Sequence, residues 1–184
     1  MTKLHSLPNV LTAIRIFLTP FCIYFLCLNQ MGISLFLFIL ASLTDMLDGY
    51  FARKFNAISK LGAFLDPLAD KLLVVSVFIT LYYMKPEIVD IYILLMILFR
   101  DVFVTILRIF METKGSTMTT SNLSKVKTAL QMLMIVLVFT TSHLSVNLGI
   151  LYYFMLGTSI LTFYTGVHYL FCNYKNLKLL ISSQ

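Results

Sequence analysis

The sequence predicts an all-α fold: a polytopic membrane helix bundle of six transmembrane helices with both termini in the cytoplasm. Hydrophobic residues make up 59% of the 184 residues and charged residues only 12%, which is about half the charged fraction of a typical soluble domain. Six apolar runs approach the length of about 20 residues that a helix needs to cross a bilayer. The positive charges of the chain lie mostly on one side of these runs.

The predicted spans follow one another through short connections. The first starts after Pro8-Asn9 and contains Arg15, so we interpret it as a retained segment and not as a cleaved signal peptide. The second and third meet at an aspartate-rich stretch, the fourth carries two arginines, and the fifth opens with two lysines. The six spans are roughly Val10–Leu28, Ile33–Phe51, Gly62–Met84, Ile88–Phe110, Val126–Ser142 and Leu148–Phe171.

The distribution of charge predicts the orientation. An even number of spans places both termini on one side, and that side receives most of the lysines and arginines. The other side receives Lys85 together with Glu87 and Asp90. The positive-inside rule therefore places the termini and the aspartates in the cytoplasm, in a multi-pass protein of the cell (inner) membrane. The length predicts a single integral-membrane domain over residues 1–184.

The basic residues that give the chain its net charge of +6 are divided among several loops. Because they form no contiguous basic stripe, we expect membrane lipids and no nucleic acid as partners.

Half of the eight acidic residues lie where the second and third spans meet. Asp45 and Asp48 are about one helical turn apart, as are Asp66 and Asp70, so each pair occupies one helix face. Two such faces opposed would form an all-oxygen cage, which suits hard cations. We therefore predict a site for Mg²⁺, with Mn²⁺ as an alternative. Two such ions would neutralise the four carboxylates, so that a diphosphate could bind to the metals. We therefore expect a pyrophosphate-linked substrate.

This stretch resembles the signature of the CDP-alcohol phosphatidyltransferase family, D-x2-D-G-x2-A-R-x8-G-x3-D-x3-D. The resemblance implies an enzyme that transfers the phosphatidyl group of CDP-diacylglycerol to an alcohol and releases CMP. It also implies a homodimer. All the fixed positions of the signature are filled, by Asp45, Asp48, Gly49, Ala52, Arg53, Gly62, Asp66 and Asp70.

The resemblance further implies roles for single residues. All four aspartates would ligate metal, and Asp70 would also accept the proton of the attacking hydroxyl. Gly49, Arg53 and Ser59 match positions that contact the CDP part of the substrate. Gly49 leaves room for close approach, and Arg53 presents a planar fork to a phosphate.

The segment from Pro8 to Pro20 is also similar to the family. Asn9, Thr12 and Arg15 follow at intervals of three, so they share one helix face and are candidates for binding the CDP-lipid. A buried arginine in a span needs an anion. Its candidate partners are the nucleotide phosphates and one of the aspartates.

A second group of cations indicates the acceptor. Arg100 and Arg108 lie on one face of the fourth span, while Lys125 and Lys127 open the fifth. Cations near the bilayer seek an anion, so we predict a phosphorylated acceptor such as glycerol 3-phosphate. The surrounding segments resemble those of family members that use it. The alternative is ordinary pairing of the arginines with Asp101 or with lipid headgroups.

Two other functions are compatible with parts of this pattern. A cardiolipin synthase of the same family would use phosphatidylglycerol as its acceptor. A divalent-cation transporter would also carry intramembrane carboxylates. An ion path needs polar residues at several depths, however, whereas the fifth and sixth spans carry no acid. The pattern therefore favours the enzyme.

Overall fold

The computed structural model describes residues 7–55, 60–113, 122–141 and 147–182. This part of the chain contains helices and no strand, in agreement with the predicted all-α class. Side chains are outside the description at 7–9, 46, 48–55, 60–67, 70, 108, 112–113, 122–125 and 175–182. The helices are α1 (Leu7–Cys27), α2 (Met31–Phe55), α3 (Lys60–Met84), α4 (Ile91–Thr113), α5 (Asn122–Thr140) and α6 (Leu148–Ser182).

Two of the described helices contain segments long and apolar enough to cross a membrane. These segments are Val10–Cys27 in α1 and Leu148–Tyr174 in α6. Shorter apolar segments occupy Met31–Asp45, Lys71–Met84 and Val126–Thr140. A helix therefore occurs at each of the six predicted positions, while the crossing of the membrane by all six stays a prediction.

Contacts divide the chain into two compact units. The first unit consists of Met1–Met84 with Ile135–Ser145. Within it α1 contacts both α2 and α3, and α2 contacts α3. The rings of Phe38 and Phe139, both buried, lie 6.0 Å apart between centroids. The contact between α2 and α3 brings together the two helices that carry the aspartate stretch.

The prediction of a single domain over the whole chain stays a prediction.

The turn between α1 and α2 makes these helices an antiparallel pair. Asn29 has a φ of 58°, which asparagine tolerates better than most residues. Its N–H donates to Leu26 O at 2.9 Å, and the N–H of Gln30 donates to Phe25 O at 2.9 Å. This is the Schellman arrangement that ends many helices. The Ser34 hydroxyl then donates to the Cys22 carbonyl at 2.8 Å and ties the two helices together.

The second unit consists of Lys85–Met134 with Val146–Gln184. Asp90 precedes α4, and its Oδ1 accepts the N–H of Ile93 at 2.8 Å, as an N-cap does. Contacts between α4 and α6 advance together along both helices, so the two run parallel. These contacts join Asp90 to Tyr152, Met96 to Ser159, Phe99 to Phe163 and Arg100 to Gly166.

Candidate active site

The aspartate stretch lies on two helices of the first unit. Asp45 and Asp48 belong to α2, whereas Asp66 and Asp70 belong to α3, and these helices contact each other. Of the four side chains, the structure describes that of Asp45. The convergence of the four carboxylates around a metal therefore stays a prediction. No group of three potential metal-binding side chains occurs among the side chains that the structure describes, and those of Asp48, Asp66 and Asp70 are not among them.

The predicted CDP-lipid residues lie mainly on α1 and α2. Asn9 belongs to α1, while Gly49 and Arg53 belong to α2, and the side chains of Asn9 and Arg53 lie outside the description. Ser59 lies outside the described residues altogether. Thr12 on α1 is completely buried. Contacts of these residues with a nucleotide stay predictions.

Arg15 contacts the first aspartate of the signature. Its Nη1 lies 2.9 Å from Asp45 Oδ1; the arginine side chain is 0% exposed and the aspartate side chain 41%. Of the two partners predicted for Arg15, an aspartate is therefore within contact distance. A buried guanidinium requires such a carboxylate, because an uncompensated charge away from water is costly. Asp45 keeps an exposed part that a further ligand can reach.

The second unit contains a buried cluster of charged residues. Asp101 Oδ1 accepts hydrogen bonds from Arg100 Nη1 at 3.1 Å and from Lys127 Nζ at 2.5 Å. The Nε2 of Gln131, one turn after Lys127 on α5, lies 3.5 Å from Asp101 Oδ2. Arg100, Asp101 and Lys127 are 4%, 1% and 0% exposed. We call these four residues the Asp101 cluster.

The Asp101 cluster contains two of the four predicted acceptor-binding cations. Arg100 comes from α4 and Lys127 from α5, so two helices supply the positive charge. The pairing of Arg100 with Asp101 is the alternative that the sequence left open, and here one carboxylate serves both cations. The Nε of Arg100 is buried and has no hydrogen-bond partner among the described residues. The side chains of Arg108 on α4 and Lys125 on α5 lie outside the description.

Sequence reasoning did not identify the centre of this cluster. It considered Asp101 only as a competitor for the arginines, and it assigned no role to Gln131. Asp101 and Lys127 are 26 residues apart, so no helical periodicity indicates their contact. Two signals were available. Lys127 and Gln131 share one face of α5 at a spacing of four residues, and the segments that contain Asp101 and Gln131 resemble those of the family.

The sequence model of the CDP-alcohol phosphatidyltransferase family matches residues 5–164. The chain belongs to this family of membrane enzymes, and the match includes every residue predicted for the site.

Individual relatives cover most of the chain. The CDP-diacylglycerol–glycerol-3-phosphate 3-phosphatidyltransferase of Rickettsia typhi is 38% identical over 175 residues, which are 90% of this chain and 96% of the relative. The protein of the same name from Wigglesworthia glossinidia brevipalpis is 35% identical over 94% of this chain and 97% of its own length. A probable CMP-forming cardiolipin synthase of Drosophila melanogaster is 37% identical over 55% of this chain and 31% of its own length.

Proposed function

We propose that this enzyme transfers the phosphatidyl group of CDP-diacylglycerol to glycerol 3-phosphate, yielding phosphatidylglycerophosphate and CMP. The family match supports the reaction class. Relatives named for this acceptor align over nearly the whole chain. The structural observation that carries the choice of acceptor is the Asp101 cluster, in which two buried cations from different helices share one carboxylate.

The four aspartates of α2 and α3 would hold Mg²⁺ or Mn²⁺. Their carboxylate oxygens are the ligands these cations prefer, and the helices that carry them are in contact. A bound metal would supply charge neutralisation at the diphosphate. Asp70 takes the proton of the primary hydroxyl of glycerol 3-phosphate. The hydroxyl oxygen then bonds to the phosphatidyl phosphorus, and the bond from that phosphorus to the CMP oxygen breaks with its electron pair.

The CDP part would bind along α1 and the second half of α2. Asn9, Thr12, Gly49, Arg53 and Ser59 are the residues we assign to it. Arg15 contributes through Asp45, which it contacts at 2.9 Å. Its charge would thereby hold in place Asp45, a predicted ligand of the metal.

The acceptor phosphate would bind to Arg100, Arg108, Lys125 and Lys127. A phosphate monoester would bring negative charge to two buried cations that contact Asp101. It would also supply an acceptor for the buried Nε of Arg100. Serine or inositol brings no phosphate, so neither would compensate these cations. Charge-assisted hydrogen bonds of this kind are stronger than neutral ones.

The membrane arrangement is part of the proposal. Six spans would place both termini and the active site on the cytoplasmic side of the cell membrane, with membrane lipids around a homodimer. Two described helices have the necessary length and apolar character, and three others contain shorter apolar segments. The substrate CDP-diacylglycerol is itself a membrane lipid, which fits this location.

Cardiolipin synthesis is the second candidate. The Drosophila relative supports it, although the similarity covers little more than half of this chain. Phosphatidylglycerol presents a phosphodiester with one negative charge, whereas glycerol 3-phosphate presents a phosphomonoester with nearly two. The Asp101 cluster therefore favours glycerol 3-phosphate.

An acceptor panel tests the proposed function. The purified protein in detergent receives CDP-diacylglycerol with glycerol 3-phosphate, phosphatidylglycerol, serine or inositol, with Mg²⁺ or with EDTA. Thin-layer chromatography identifies the lipid product, and released CMP is measured in parallel. We expect phosphatidylglycerophosphate and equimolar CMP with glycerol 3-phosphate and Mg²⁺ only. Cardiolipin as the sole product would establish the second candidate, and no CMP under any condition would favour a transporter.

The variant Asp70→Asn supplies the matched control. It keeps the shape of the side chain and removes the proton acceptor, so we expect turnover to fall at least about a thousandfold. Binding of CDP-diacylglycerol, measured by protection against thermal unfolding, should persist. Near-normal turnover would exclude Asp70 as the base.

A further inference from the structure

We infer that Gly166 on α6 is a positioning residue for the acceptor phosphate. It allows the stem of Arg100 to lie against α6 while the guanidinium reaches Asp101. This inference rests on the proposed function, because it assumes that Arg100 binds the phosphate of the acceptor. It adds the last helix to the acceptor site, at a position beyond the family match, which ends at residue 164.

The contact between Gly166 and Arg100 leaves no room for a side chain. A Cβ on Gly166 would lie 2.7 Å from Arg100 Cγ, 3.6 Å from its Cβ and 3.9 Å from its Cδ. Ordinary van der Waals contact begins at 3.4 Å. Arg100 is 4% exposed, so its stem is enclosed on other sides too. A methyl group at position 166 therefore forces Arg100 to move.

The atom that must move is close to the backbone. Because Cγ follows Cβ directly, it moves only if χ1 of Arg100 rotates or if α4 separates from α6. Either change displaces the guanidinium, which lies further along the same side chain. Its hydrogen bond to Asp101, at 3.1 Å, then lengthens or bends, and such bonds weaken steeply with angle.

Another glycine of α6 shows that this contact is specific. A Cβ on Gly157 would meet nothing within 4 Å, although this residue is on the same helix. Alanine forms helices better than glycine, so an alanine at either position favours the helix itself. Only at position 166 does the methyl group meet Arg100. The pair Gly166→Ala and Gly157→Ala therefore separates the contact from any effect on the helix.

The experiment measures both Michaelis constants in Gly166→Ala and in the control Gly157→Ala. For Gly166→Ala we expect the KM for glycerol 3-phosphate to rise roughly tenfold or more, the effect of losing one charge-assisted hydrogen bond. The KM for CDP-diacylglycerol should stay within about twofold. Gly157→Ala should leave both constants unchanged. An unchanged acceptor KM in Gly166→Ala, or an equal rise of both constants, would overturn the inference.

A double variant makes the test independent of folding. Arg100→Ala removes Cγ, so Gly166→Ala should add no further change in that background, whereas two independent sites would show additive effects. If Gly166→Ala alone fails to fold, folding restored in the double variant supports the contact. Failure of the double variant to fold, where Arg100→Ala alone folds, would overturn it. If wild-type protein makes no product from glycerol 3-phosphate, the proposed function fails first, which the acceptor panel detects separately.

Discussion

Arg15, Arg100 and Lys127 are buried cations that differ in the exposure of the aspartate each contacts. Asp45, the partner of Arg15, is 41% exposed, so it can accept a second ligand on its open side. Asp101, the partner of Arg100 and Lys127, is 1% exposed. Its carboxylate already receives two cations and is unsuited to an additional metal. This difference fits metal binding at Asp45 and a positioning role at Asp101.

The salt bridge of Arg15 leads to a prediction about kinetics. Because the charge of Arg15 acts on Asp45, Arg15→Ala should lower kcat roughly tenfold or more and change the KM for CDP-diacylglycerol by less than about threefold. Arg53→Ala, which removes the proposed phosphate ligand, should mainly raise that KM. Steady-state kinetics of both variants makes the comparison. A rise of the KM in Arg15→Ala as large as that in Arg53→Ala would show that Arg15 binds the nucleotide.

The sequence predicted the members of the site better than their contacts. Because a buried arginine in an apolar span needs an anion, the sequence limited the candidate partners of Arg15 to the nucleotide phosphates and the aspartates. Asp45 is one of these aspartates. The contact of Asp101 with Lys127 depends on the side chain of Lys127 reaching from α5 to α4. The closeness of Gly166 to Arg100 depends on α4 and α6. Neither pairing leaves a regular spacing, so hydropathy and periodicity could not indicate them.

On the scale of single helices, polar residues determine where α4 and α6 begin. The predicted fourth span starts at Ile88, but α4 starts at Ile91 because Asp90 caps it. Asn147 caps α6 in the same way, accepting the N–H of Gly149 at 2.9 Å. The end of α6 differs for another reason. The predicted span ends at Phe171, yet the helix continues to Ser182. Hydropathy marks the limit of an apolar segment and not of a helix.

The cap of α4 leads to a prediction about stability. Asp90 accepts hydrogen bonds from Ile93 N at 2.8 Å and from the Tyr152 hydroxyl at 2.9 Å. Asp90→Ala removes both and should lower the free energy of unfolding by about 2 kcal/mol. Tyr152→Phe removes one and should cost about 1 kcal/mol. Thermal unfolding in detergent measures the stability of each variant relative to wild type.

A control for this series lies a few residues away. Glu87 is exposed in the same connection, so Glu87→Gln should not change the unfolding temperature. Asp90→Asn keeps an oxygen at the cap, so its unfolding temperature should lie between those of wild type and Asp90→Ala. Equal unfolding temperatures for wild type and Asp90→Ala would show that neither hydrogen bond contributes to stability.

On the scale of the whole molecule, the helix directions agree with successive crossings of a membrane. The turn at Asn29 reverses the chain between α1 and α2. In the second unit, α4 and α6 run parallel. This direction is expected of two membrane-spanning helices with one span between them in the sequence. These directions follow from contacts within each unit. The orientation relative to the membrane stays a prediction from the distribution of charge.

Cysteine labelling tests this orientation. The three native cysteines, Cys22, Cys27 and Cys172, are replaced by serine, and single cysteines are introduced by Glu87→Cys and Ser183→Cys. Three predicted spans separate the connection at Glu87 from either terminus, so the two positions should lie on opposite sides. Lys85 is the one cation predicted for the outer side, so the positive-inside rule places Glu87 outside.

In right-side-out vesicles, a membrane-impermeant maleimide should label Glu87→Cys, and Ser183→Cys should react only after permeabilisation. Inside-out vesicles should give the reverse pattern. Transferase activity of the cysteine-free protein shows that the replacements preserve the fold. Labelling of both positions from the same side would rule out three crossings between them. Labelling in the reverse pattern would agree with six spans but contradict the predicted orientation. It would place the active site outside, where a cytoplasmic nucleotide-linked lipid would not be supplied.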